Sequence, residues 1–113
     1  MKILTLTFAL LLTGCTTTPQ QIVEQGVRYD AQLKLPPNNA ADCIARNAEN
    51  IHGDFITTVR PLKDDGSMEV ILRLATAALA VTHVRPEGKG SAATSWWRMV
   101  PREAWPSRIV EGC

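Results

Sequence analysis

Apolar residues recur at steps of three and four from Ala40 through Cys43, Ile44 and Ala48 to Ile51, while Arg46, Glu49 and Asn50 take the other side. That period predicts an amphipathic helix with Cys43 on its buried face. Asn39 and Asp42 stand three residues apart at its start, close to a capping box, and Gly53 follows as the stop. Beyond Gly53 the period falls to two. Phe55–Arg60 and Met68–Leu74 are rich in β-branched and aliphatic residues, and the turn Lys63-Asp64-Asp65-Gly66-Ser67 between them marks a hairpin. In the second run Val70, Leu72 and Leu74 point one way, and Glu69, Ile71 and Arg73 the other.

Ala75–Arg85 contains enough alanine for a helix, but its Val81-Thr82-His83-Val84 end predicts a strand after a short turn. Pro86-Glu87-Gly88-Lys89-Gly90 reads as a loop, and Ser91–Met99 as the returning strand. Ile109 and Val110 in the tail are expected to pack on the sheet edge. The fold expected is α+β: one helix packed on a small antiparallel β-meander, two layers.

Upstream, residues 16–38 are polar and end in Leu35-Pro36-Pro37-Asn38-Asn39, which reads as a tether holding the domain off a surface. Ile22, Val23 and Val27 have helical spacing and would form at most one short helix, interrupted at Gly26. The chain itself opens with Met1-Lys2 and an apolar run, Ile3–Leu12. One positive charge, a short apolar core and a small-residue turn make the layout of a secretory signal. The run is about half the 20 residues that a spanning helix needs.

The residues that close this run, Leu12-Thr13-Gly14-Cys15, resemble the lipobox of bacterial lipoproteins: an aliphatic residue, two small ones and an obligatory cysteine. The resemblance implies cleavage before Cys15, diacylglycerol on its thiol and an acyl chain such as palmitate on the freed amine. More than one chain is needed because each buried methylene adds only about 0.8 kcal/mol. Thr16 stands where an aspartate tends to retain lipoproteins of Gram-negative bacteria in the inner membrane. The resemblance therefore implies a protein held by Cys15 in the inner leaflet of the outer membrane and facing the periplasm. The organisation expected is a signal peptide over 1–14, the lipidated cysteine and tether over 15–38, and a small α+β domain over 39–113.

Export changes the reading of the two other cysteines, Cys43 and Cys113. In an oxidising compartment they are expected to pair as a structural disulfide. A loop of that length stabilises a fold by about 4 kcal/mol on the chain-entropy model. Without Lys2 the basic and acidic side chains are equal in number, with no long run of either sign. That disfavours nucleic acid and electrostatic attachment to anionic lipid as partners.

No catalytic chemistry is expected. His52 and His83 have no metal-ligand spacing to each other, to a cysteine or to a carboxylate, so no metal and no cofactor is expected. His52 reads as a helix-end residue and His83 as a packed or solvated strand residue. Gly88-Lys89-Gly90-Ser91 lacks the spacing of a phosphate-binding loop, Asp64-Asp65 reads as a solvated turn, and no serine sits in a nucleophile elbow.

One group of residues has the composition of an interface. Trp96, Trp97 and Trp105 interleave with Arg98, Arg102 and Arg108, and tryptophan and arginine are enriched at binding hot spots. Trp96 and Trp97 must face opposite sides of the sheet, so only one joins the core. The outer one is expected either under the tail with Trp105 or, with Arg98, on a partner-binding surface. The function expected is that of a lipid-anchored, non-catalytic envelope protein that binds or braces another envelope component. Two alternatives are an inhibitor of a cell-wall-cleaving enzyme such as lysozyme, and a lipoprotein encoded by a phage or mobile element.

Overall fold

The computed structural model describes residues 17–101 and 104–113; the signal segment and Cys15 lie outside the described residues. The elements in chain order are α1 (Pro19–Gln25), β1 (Val27–Leu33), α2 (Pro37–Ile51), β2 (Phe55–Pro61), β3 (Met68–Leu74), β4 (Ala77–Glu87), β5 (Gly90–Trp97) and α3 (Trp105–Arg108). The fold is mixed α+β. Its five strands form one antiparallel sheet in the order β1-β5-β4-β3-β2. The meander read from the sequence is β2 to β5; β1 adds to its far edge, and α2 carries the chain from one edge of the sheet to the other.

Residues 19–33 differ from the polar tether expected there. Thr18 caps α1 reciprocally: the Gln21 amide donates to Thr18 Oγ1 at 3.2 Å and the Thr18 amide to Gln21 Oε1 at 2.9 Å. Val27, grouped by helical spacing with Ile22 and Val23, instead opens a strand. Val27, Tyr29, Ala31 and Leu33 turn toward the core side while Arg28, Asp30 and Gln32 stay exposed. The alternation was present in the sequence, but an edge strand covered on one face carries as many polar residues as a tether. Gly26 ends the helix rather than interrupting it. A Cβ there would come within 2.5 Å of the Ile22 carbonyl and 2.8 Å of the Trp97 carbonyl.

Helix α2 starts at Pro37, two residues before the expected Asn39 cap, and no side chain caps it. Proline at the first helical position needs no partner for its nitrogen, and its ring sets the helical φ. Ala40, Ala41, Ile44, Ala45 and Ala48 are buried against Leu33, Phe55, Val70, Leu72, Val84, Ala93 and Trp97. Four alanines on one helical face let the helix lie close to the sheet. The loop expected over Pro86–Gly90 contracts to a two-residue turn, Gly88-Lys89, because Glu87 pairs with Gly90 and Gly88 supplies φ +57°.

The opposite face carries α1. Its Ile22 is buried with Ala78 and Val81, and Trp96 packs beside them. Val81 alternates with Ala80, and Trp96 with Trp97, so the two clusters lie on opposite sides of the sheet.

The tail folds back under α2. Ile109 is buried in the larger core rather than on the sheet edge, and Asn47 Nδ2 donates to the carbonyls of Ile109 and Glu111, both at 2.9 Å. The Cys113 carbonyl accepts from the amides of Lys34, 3.1 Å, and Leu35, 2.9 Å. Cys43 and Cys113 lie at disulfide distance, with Cα atoms 5.8 Å apart.

Candidate functional site

The strand register lines up one residue from each strand on the outer face: Asp30, Thr94, His83, Glu69 and Arg60. Thr94 donates its hydroxyl to Asp30 at 2.7 Å and accepts from Arg85 at 3.0 Å. Arg28 approaches the same carboxylate at 3.3 Å. The Thr94 bond first, and the Arg28 guanidinium second, hold the Asp30 carboxyl below the usual aspartate range. Glu69 is only 6 % exposed, and its two oxygens divide between Arg60 and His83, whose Nε2 lies 2.9 Å away. A buried carboxylate is tolerable because both oxygens are engaged.

His83 was read from the sequence as a residue with no carboxylate at ligand spacing. The hairpin register places Glu69 directly opposite it, a neighbour that linear spacing does not reveal. Trp96 stands edge-on to His83 with ring centroids 5.0 Å apart. These two residues line a shallow cavity of about 290 Å³ with Lys63, Ser67 and Arg85. Among the described residues no group of three metal-ligating side chains occurs. His52 caps the end of α2, accepts the Asp54 amide on Nδ1 at 3.1 Å and stacks on Phe55.

The other three candidates gather at one end of the sheet. Trp97 is 0 % exposed and lies 6.2 Å from the ring of Trp105, which in turn meets Phe55 edge-on at 5.2 Å. Trp105 therefore partners the inner tryptophan, not the outer one, and Trp96 is covered by α1 and His83 instead. Arg98 is exposed just past β5, and its amide donates to the Leu79 carbonyl at 2.9 Å. Leu79 is the extra residue of a bulge, because Leu72 pairs with Ala80 and Arg73 with Ala78. The bulge is on the β3 side of β4 and turns the Leu79 side chain into the same core as its neighbour Ala80.

Together these residues form an apolar cleft of about 300 Å³, lined by Trp97, Trp105, Leu79, Leu74, Met99 and Val100, with Arg98 and Pro101 at its margin. Met99 is 55 % exposed and Val100 69 %. From the sequence, Met99 is expected as the last residue of its strand and Leu74 on the same face as Val70 and Leu72, while Val100 carries no expectation. The available signal was a pair of aliphatic residues between a strand end and Pro101, where a turn would ordinarily be polar. Arg102 lies outside the described residues. The cleft's described lining offers aliphatic surface and the part-exposed Trp105 indole beside one guanidinium.

Among the described residues no helix is long and apolar enough to cross a membrane. No family model matches the chain, and no curated protein and no solved structure matches it.

Proposed function

We propose that this protein is a small lipoprotein of the bacterial envelope, anchored through Cys15, whose non-catalytic head binds an apolar envelope component through the cleft between Trp97 and Trp105. The observation that carries this reading is the cleft itself. Leu74, Met99 and Val100 stand exposed beside the part-covered Trp105 indole, with buried Trp97 as the floor, and contiguous exposed apolar surface on a small domain marks a contact site. The Cys43–Cys113 pair supports an oxidising location, and the lipobox supplies the anchor. In this reading the protein matures at Cys15, faces the periplasm from the outer membrane, and uses its single helix-backed sheet as a rigid mount for the cleft.

Inhibition of a cell-wall-cleaving enzyme finds no specific support. Such inhibitors are mostly β-barrels, whereas here the sheet is open and Gly88-Lys89 is a tight turn.

The test is intact mass of the membrane-fraction protein, together with photocrosslinking from a benzophenone side chain placed at Val100. A mass beginning at Cys15 with acyl chains added, and a crosslinked product absent when the group is placed at Lys89, is the expected result. An unprocessed chain, or equal crosslinking from both positions, would overturn the reading.

A further inference from the structure

The fold begins at Thr18, whose side chain and amide are both locked into the α1 cap. Only Thr16 and Thr17 separate it from Cys15, so the lipidated residue lies within about 11 Å of the domain even if the chain is fully extended. Helix α1 adds about 10 Å more, and it ends at Gly26 against the backbone of Trp97. The head is thus leashed too closely to stand clear of the bilayer, and some part of it must rest on the headgroups.

The two ends of the sheet differ in what they would present. At the far end lie the turns Lys63-Asp64-Asp65-Gly66 and Gly88-Lys89, which are charged or polar and exposed. The near end holds the first residues of β2 and β4 and the last of β3 and β5. The exposed large apolar residues among those described are Ile56, Leu74, Met99 and Val100; the register places Ile56 and Leu74 at this end, and Met99 and Val100, just past the last residue of β5, line the cleft with Leu74. Helix α1 packs at this end too, on Ala78, Val81 and Trp96.

From this juxtaposition we infer that the component bound at the cleft is the lipid bilayer itself: the head lies with Leu74, Met99, Val100 and the Trp105 indole at the boundary between headgroups and acyl chains. The inference rests on the anchor reading given above. The chemistry of the rim suits that depth. Indole rings favour the membrane interface, and Arg98 can lay its methylenes along the apolar surface while its guanidinium meets lipid phosphates. Acyl chains and rim would then act as two signals, the condition for stable attachment. The opposite end of the sheet, with its charged turns, is left facing the periplasm.

The test uses the full-length, membrane-matured protein reconstituted in vesicles of phosphatidylethanolamine and phosphatidylglycerol with brominated acyl chains, which quench nearby indoles. Val100→Trp and Met99→Trp each place a reporter at the rim, and Lys89→Trp places one at the far end. Intact mass of each preparation is recorded first. With lipidated protein, loss of the added emission from Val100→Trp and Met99→Trp but not from Lys89→Trp is the expected result. Lipidated protein with unquenched rim reporters, or with Lys89→Trp quenched instead, overturns the bilayer contact while leaving the anchor standing. A preparation carrying no lipid on Cys15 overturns both.

Discussion

Thr94 and Asp30 face each other across the β1–β5 pair, and the 2.7 Å bond from the threonine hydroxyl to the carboxylate is the leading reason that Asp30 ionises below the usual aspartate range. The fold therefore favours the ionised form. That advantage is fully present above the unfolded value, about 3.9, and is lost as pH falls through the lower folded value. Asp65 shifts in the same direction, through the side chain and amide of Ser67. Melting temperature should fall on acidification below about pH 4. Asp30→Asn should flatten that acid limb without changing its sign, because Asp65 still titrates. Circular dichroism melts across the acid range check it, and an unchanged acid limb in the variant would sink the assignment.

Cys43 and Cys113 close a loop of 70 residues that includes every strand except β1. On the chain-entropy model, the double variant Cys43→Ala/Cys113→Ala should lose about 4 kcal/mol of unfolding free energy. The hydrogen bonds from Asn47 to the tail carbonyls and from Lys34 and Leu35 to Cys113 remain to hold the terminus in that variant. Urea titration of both proteins measures the difference. A loss below about 1 kcal/mol would mean that these hydrogen bonds alone fix the tail.

Gly26 and Gly53 provide an internal comparison. A methyl group at Gly26 would press on two backbone carbonyls, whereas nothing stands within 4 Å of the same group at Gly53. Gly26→Ala should destabilise by about 2 kcal/mol or more, through separation of α1 from β5, and Gly53→Ala should stay within about 0.5 kcal/mol. Denaturant midpoints of the two variants decide it; equal shifts would show that the α1–β1 corner is not tightly packed.

The helix at 37–51 and the strand at 55–61 were legible because each has one buried face and one wet face, whereas the strand at 68–74, covered on both faces from Glu69 to Leu72, was legible from its aliphatic run and the Asp65-Gly66 turn before it. Strand β1 was not, since its inward residues Tyr29 and Ala31 are only half covered and the step from Val23 to Val27 fits a helix as well as a strand. The Trp96–Trp97 alternation correctly required the two rings to part, yet it could not say which one meets Trp105. That depends on where the tail returns, a contact formed across the whole chain. The Glu69–His83 pair is hidden for the same reason, because a cross-strand neighbour is defined by register. Ile109 sits among tail residues with no period of their own, so its burial followed only from the fold-back of Cys113 to β1.

The placement of β1 beside β5 has a consequence for how the molecule can be made. A chain synthesised from its N-terminus delivers β1 first and the strand it pairs with, β5, last, after α2 and three other strands have been made. Leu33 must wait for Ser91. Until then the row of amides and carbonyls on β1 that later meets β5 is open, and pairing over so long a separation is slow. The half-made intermediate therefore holds four strands and lacks the one that joins β1 to β4, and a chaperone that shields residues 27–33 until β5 is available would act on that late pairing.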